Sequence, residues 1–223
     1  MDSSTAVQVT YYLDVISSWC WWTEPTWADL RHRFEGRIRF DWRIALVQGE
    51  GFPASREQLE WFYRRSGILT RSPYRLNAGW LEPGRHEYMV PNLVAEAARD
   101  LGITDDRARL AVAAAAVRDG SEVSRWDVSV SAAAAATGLD AEALRVRAQS
   151  PEVEARIRAS TSEFHSLRIS QRPAFVVENG IGDRAVLSGL TVLEPLVSIA
   201  EAMLADAAGY ASFAAQFGGP PEV

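Results

Sequence analysis

Sulfur is scarce in this chain of 223 residues. Cys20 is its only cysteine, so no disulfide can close within one chain, and a reducing cytoplasm is the expected compartment. Histidine is nearly as sparse: His32, His86 and His165 stand far apart with no partner at helical spacing, which argues against a bound metal. No apolar run approaches the ~20 residues needed to cross a bilayer. The opening Met1-Asp-Ser-Ser-Thr5 has neither the basic nor the apolar segment of a secretory signal. Phosphate-cradling glycine loops and the Gly-x-Ser-x-Gly nucleophile elbow are missing, as are repeats, heptads and low-complexity tracts.

What the chain does have is enough apolar residues, 48%, to fill a sizeable core. The net charge is −6 and the basic residues are scattered among acids, which argues against an electrostatic grip on nucleic acid or on a membrane. The expected partners are a small-molecule substrate and, in a homodimer, a second copy of the chain.

Residues 7–13 are rich in Val and Tyr and read as a strand running into Ser17-Ser18-Trp19-Cys20. Trp27, Leu30 and Phe34 then recur at helical spacing, predicting a helix over Glu24 to Phe34, and Arg37 to Val47 alternates as a second strand. The signal weakens from Gly49 to Pro91, where Arg56 to Arg65 predicts one short helix inside a long loop. Five helical stretches follow: Asn92 to Leu101, Asp105 to Arg118, Asp127 to Thr137, Asp140 to Gln149 and Ser150 to Leu167, punctuated by Gly102, Gly120, Gly138 and Pro151. The runs Ala111 to Ala116 and Ala132 to Ala136 suit tightly packed helices rather than linkers. Pro173 to Glu178 and Ala185 to Ser188 read as strands joined by a tight Asn179-Gly180 turn, and Glu194 to Ala208 as a closing helix. The tail from Gly218 to Val223 should fray.

The order βαβ, helical block, ββα predicts an α/β thioredoxin-like fold with a helical domain inserted between the second and third strands. The expected division is 7–48 with 168–210 for the thioredoxin-like part, 49–167 for the insertion and 211–223 for the tail. On Tyr12-Leu-Asp14-Val-Ile-Ser17-Ser18-Trp19-Cys20, Arg172-Pro173-Ala174-Phe175, Asn179-Gly180 and Leu187-Ser188-Gly189, the chain resembles the DsbA family in its broad sense. That family includes the 2-hydroxychromene-2-carboxylate isomerases and the kappa-class glutathione transferases.

The resemblance implies that Ser17 stands at the nucleophilic position of a Cys-x-x-Cys tetrad, Ser18 at its proline and Cys20 at the resolving position. It implies a cis bond at Arg172-Pro173, with backbone groups there facing a cysteine-like substrate, and glutathione or another low-molecular-weight thiol as cofactor. The isomerases and kappa enzymes also carry serine at the first position, where its hydroxyl is thought to hydrogen-bond the glutathione thiolate. Where they typically have Gly-x-Asp-Arg, this chain has Gly189-Leu-Thr-Val192.

The residues themselves leave two readings at each central position. Cys20, one turn into a helix, is either a low-pKa thiol or an inert packed one. Ser17 is either an ordinary N-cap or the holder of a thiolate or other anion at the helix start. Ser18, Trp19, Trp22, Arg172, Pro173, Ala174 and Ser188 are the expected substrate-binding residues, and Trp61, Phe62, Tyr63 and Trp80 could drape over an apolar pocket beside them. Three functions are compatible with this pattern: a thiol-dependent oxidoreductase with one functional sulfur, a glutathione-dependent isomerase or transferase using Ser17, and a non-catalytic ligand- or protein-binding module.

Overall fold

The computed structural model describes residues 7–189 and 192–218. Leu190, Thr191 and the tail beyond Gly218 lie outside the described residues, and with them part of the Gly189 to Val192 stretch and the expected fraying. Two compact units are distinguished. One comprises the chain up to Tyr11, Thr23–Trp42 and Pro173 onward; the other comprises Tyr12–Trp22 and Arg43–Arg172.

Four strands, β1 (Gln8–Leu13), β2 (Arg39–Ile44), β3 (Ala174–Glu178) and β4 (Arg184–Ser188), form a mixed sheet in the order β2-β1-β3-β4. Arg39 N–H donates to the Val7 carbonyl and Ala45 N–H to that of Leu13, so β1 and β2 run parallel. β3 and β4 are antiparallel, with Ala174 opposite Ser188 and Glu178 opposite Arg184. β1 is a central strand, which is why every residue from Val9 to Leu13 is buried and its alternation is blurred.

In the first unit Tyr11 stacks on Phe175 with centroids 4.9 Å apart, and Trp27 meets Tyr11 at 5.1 Å and Phe40 edge-on at 5.5 Å. Such ring pairs contribute about 0.5–1.5 kcal/mol each beyond the area they bury. Trp27 is therefore core. The hairpin between β3 and β4 is not a two-residue turn. Residues 179–183 form a longer loop closed by Asn179, whose Oδ1 accepts from Ile181 N–H and Asp183 N–H while its Nδ2 donates to Asp183. The left-handed residue is Gly182, at φ 101°, not Gly180. The closing helix, Glu194–Phe217, extends well past Ala208.

Helix α1 spans Ser18–Arg33, starting six residues before Glu24. The early start is hidden in the sequence by Trp-Cys-Trp-Trp, which has no polar face, and by Pro25, which sits inside the helix where proline normally ends one.

The second unit carries α2 (Arg56–Leu69), α3 (Met89–Asp100), α4 (Arg107–Val117), α5 (Trp126–Thr137), α6 (Ala141–Ala148) and α7 (Pro151–Ser166); the closing helix of the first unit is α8. The helical insertion is thus present, with α2 longer than its sequence signal. α3 packs on α4, α5, α6 and α7, and all residues from Pro91 to Ala98 are buried. The alanine-rich runs permit this: Ala113, Ala116 and Ala133 are buried small residues that let helix axes approach closely. Even α3's acid is paired, Glu96 accepting from Arg156 Nε at 2.9 Å.

Candidate functional site

β1 ends at Leu13, and four residues turn the chain into α1. Every backbone N–H after Asp14 in this turn is spoken for. Val15 donates to Asn92 Oδ1 (3.1 Å), Ile16 to Asp14 Oδ1 (3.1 Å) and Ser17 to the Asp14 carbonyl (3.0 Å). Ser17 is then the N-cap of α1: its carbonyl accepts Trp21 N–H at 2.9 Å and its hydroxyl oxygen accepts Cys20 N–H at 3.4 Å. The capping role expected for Ser17 is present, through a long and therefore weak hydrogen bond.

Beneath this turn lies a buried polar cluster. Asp14 is fully enclosed; besides Ile16 it accepts from Val47 N–H at 2.8 Å and Asn92 Nδ2 at 3.2 Å. Burial pushes its carboxyl above the usual carboxylate range, against the pull of those donors and of the Arg172 guanidinium. Arg172 donates to the carbonyls of Ala45 and Leu46 and, at 3.2 Å, of Ser170, with its guanidinium 4.6 Å from the centre of the Phe164 ring. Burial lowers its pKa, while the nearby Asp14 and Cys20 raise it. The Arg172 side chain thus clamps the segment after β2. Asp14 and Asn92 were not among the expected site residues. Asp14 carried a signal, an acid three residues before a helix cap; Asn92 carried none, because its role exists only once α3 packs against the turn.

Cys20 is 2% exposed, whereas Ser17, Ser18 and Trp19 are each partly open to solvent. The two indoles that follow are tied to the insertion: Trp21 Nε1 donates to Tyr74 Oη at 3.2 Å, Trp22 Nε1 to Ser66 Oγ at 3.1 Å, and the Trp22 ring lies 5.4 Å from that of Tyr74. Tyr74 and Ser66 are thus neighbours of the turn that periodicity could not find. Trp80 and Tyr63 do not drape over it as exposed surface; Trp80 Nε1 donates to Tyr63 Oη at 2.8 Å inside a buried cluster with Tyr88. Trp61 faces solvent. His165 is exposed beside Phe164, and Glu163 pairs with Arg43. Among the described residues no three of His, Cys, Asp and Glu converge as metal ligands do.

Ser17, Ser18, Trp19, Cys20, Trp22 and Arg172 therefore belong to one unit. Pro173, Ala174 and Ser188 belong to the other, where Pro173 is buried, its carbonyl accepts Gly189 N–H at 2.8 Å, and Ala174 pairs with Ser188. A cavity of about 400 Å³, lined by Ala28, His32, Ile38 and Phe40 among others, lies at the far end of α1 from the Ser17 turn.

A family model described as a DSBA-like thioredoxin domain matches residues 8–199. The chain belongs to this family. Within the DsbA-like family its fold aligns with a Nitrosomonas europaea protein provisionally assigned as a protein disulfide isomerase, at 20% identity and TM-score 0.71, covering 96% of this chain and 100% of that one. It aligns with the cytosolic disulfide reductase DsbM from Pseudomonas aeruginosa at 18% identity and TM-score 0.66, covering 92% and 99%. It also aligns with Pseudomonas aeruginosa DsbA, at 14% and 0.59, covering 95% and 89%. At these identities the alignments establish a shared fold. No curated protein sequence matches the chain. A DsbA-like scaffold with one cysteine, and that one buried, is the combination any functional account must meet.

Proposed function

We propose that this DsbA-like protein is a thiol-dependent enzyme whose reacting sulfur arrives with a low-molecular-weight thiol and is held at the start of α1 by Ser17. The observation that carries this reading is the contrast in exposure at the tetrad: Ser17 is partly open to solvent and Cys20 is buried. Dithiol exchange within one chain needs a second cysteine, and the sequence has only Cys20.

At Ser17 the thiol R–SH loses its proton to solvent, and the thiolate accepts the Ser17 O–H and feels the positive end of the α1 dipole. The thiolate then forms a C–S bond with an electrophilic carbon of an apolar substrate, whose displaced electron pair moves to a carbonyl oxygen or a leaving group. In an isomerisation the C–S bond breaks again and the thiol is recovered; in a transfer it persists. Trp19 and Trp22, with Tyr74, supply the aromatic wall expected for such a substrate. That a structure of DsbM was solved with glutathione supports glutathione as the thiol, and that protein's cytosolic location supports a cytoplasmic one here. The roles that the resemblance gives Pro173, Ala174 and Ser188 stand as expectations.

A second reading keeps Cys20 as the reagent, in a mixed disulfide with the incoming thiol. The electrostatic reach of Arg172 to Cys20 favours it, because a guanidinium stabilises a thiolate. One experiment separates the two. With glutathione and an electrophilic aromatic substrate, Ser17→Ala should lower kcat/KM by about 100-fold or more, a loss of ~2.7 kcal/mol of transition-state stabilisation, while Cys20→Ala stays within about threefold of the parent. The opposite pattern, with a glutathione adduct on Cys20 by mass spectrometry, would establish the second reading. No thiol-dependent activity and no thiol-induced thermal shift would overturn both in favour of a binding module.

A further inference from the structure

The sequence contains no lysine; its 23 lysine-or-arginine positions are all arginine, and many of these are held by acids. Arg33, Arg43, Arg125, Arg147, Arg156 and Arg184 each sit in an ion pair. The densest run of arginines outside such pairs lies on and after α2. Arg64, Arg65, Arg71 and Arg75 are exposed, and among the described residues none of them forms an ion pair. The even mixing of charge along the sequence conceals this local excess.

The same stretch carries Trp61 at 54% exposure, Ile68 at 71%, Leu69 at 66% and Tyr74 at 47%. Helical spacing explains the arrangement. Leu59, Tyr63 and Ser66 point inward and are buried, which leaves Trp61, Arg64, Arg65 and Ile68 along the outward face. The face is also tied down by contacts. Arg65 stacks 5.1 Å from the rings of both Trp61 and Phe62. Arg71, at φ 54°, ends the helix in a left-handed turn in which Ser72 N–H reaches the Gly67 carbonyl at 2.8 Å. Ser72 and Trp21 then hold Tyr74 at its backbone and its hydroxyl.

We propose that this outward face of α2 and the turn after it dock an acidic polypeptide segment with an apolar side. Exposed tryptophan, tyrosine and arginine on an ordered helix are the residues from which binding hot spots are built, because each supplies much contact area for little lost freedom. The unpaired guanidiniums select the sign of the partner. A second copy using the same face is disfavoured, since a two-fold interface would set arginines against arginines. An anionic bilayer is a broad plane that would also meet Glu57 and Glu60, exposed on the first turns of the same helix, whereas a single acidic segment can follow Arg64 to Arg75 past them. Because Tyr74 and Ser66 are bonded to Trp21 and Trp22, a segment held here lies beside the indoles of the Ser17 turn.

The test uses the full chain and a fluorescein-labelled helical peptide of about five turns, glutamate-rich with leucines along one side, read by anisotropy, with its lysine counterpart and phosphatidylglycerol vesicles as comparisons. The acidic peptide should bind, more weakly as salt rises, and the lysine peptide and vesicles should not. The double variant Arg64→Glu/Arg71→Glu and the single variant Ile68→Ser, both at exposed positions, should weaken binding at least ~10-fold with unchanged circular dichroism. Ser17→Ala should leave it unchanged, so failure here is distinguishable from failure of the proposed activity. No acidic-peptide binding at about 1 mM, equal binding by the variants, or capture of vesicles in place of the peptide would overturn the proposal.

Discussion

The residue on which the geometry of the Ser17 turn rests is fully buried. Asp14 accepts hydrogen bonds from Ile16, Val47 and Asn92, and so fixes the turn that presents Ser17. In Asp14→Asn an amide N–H₂ replaces one acceptor and opposes either the Val47 or the Ile16 N–H, which should cost about 1–3 kcal/mol by urea denaturation. The pH dependence has a definite sign. Burial holds the folded-state pKa above the ordinary 3.8, so the folded chain keeps the proton longer than the unfolded one. Asp14's contribution is full below pH 3.8 and declines as pH rises through the folded value. The stability gap between parent and Asp14→Asn should therefore be widest in acid and narrow toward neutrality; a gap that widens with pH would refute this account.

At the scale of elements, the approach of the loop before α3 to the end of α4 is tight enough to predict from. Gly120 has φ 71°, and a Cβ there would lie 2.4 Å from Asn77 Oδ1. Asn77 is itself held: its N–H donates to the Val117 carbonyl at 2.8 Å and its Oδ1 accepts Gly79 N–H at 2.8 Å. Gly120→Ala should cost roughly 2 kcal/mol, from left-handed strain plus displacement of Asn77, and lower Tm by about 4–8 °C in calorimetry. Gly138→Ala, also left-handed but with open space around it, should cost less. Element boundaries were readable where periodicity was clean, as for α4 to α7. They failed where a local rule was overridden: Pro25 inside α1, and the five-residue loop behind an Asn-Gly pair that usually signals two.

For the molecule as a whole, a single thiol buried in the native state makes a simple prediction. Ellman's reagent should find Cys20 almost unreactive in the folded chain and one thiol per chain after unfolding, and reductant should leave Tm unchanged. Rapid native titration would restore Cys20 as the reagent. The family and its order of strands and helices were written in the sequence, because strand and helix patterns and the Ser17 to Cys20 and Pro173 motifs are local and survive without knowledge of packing. The burial of Cys20, the Asp14–Asn92 bond between residues 78 apart, the grip of Arg172 on the carbonyls after β2 and the unpaired arginines of α2 were decided only by the tertiary structure. Each depends on which distant groups arrive at one place, and a one-dimensional pattern of polar and apolar residues specifies which face of an element is covered, not what covers it.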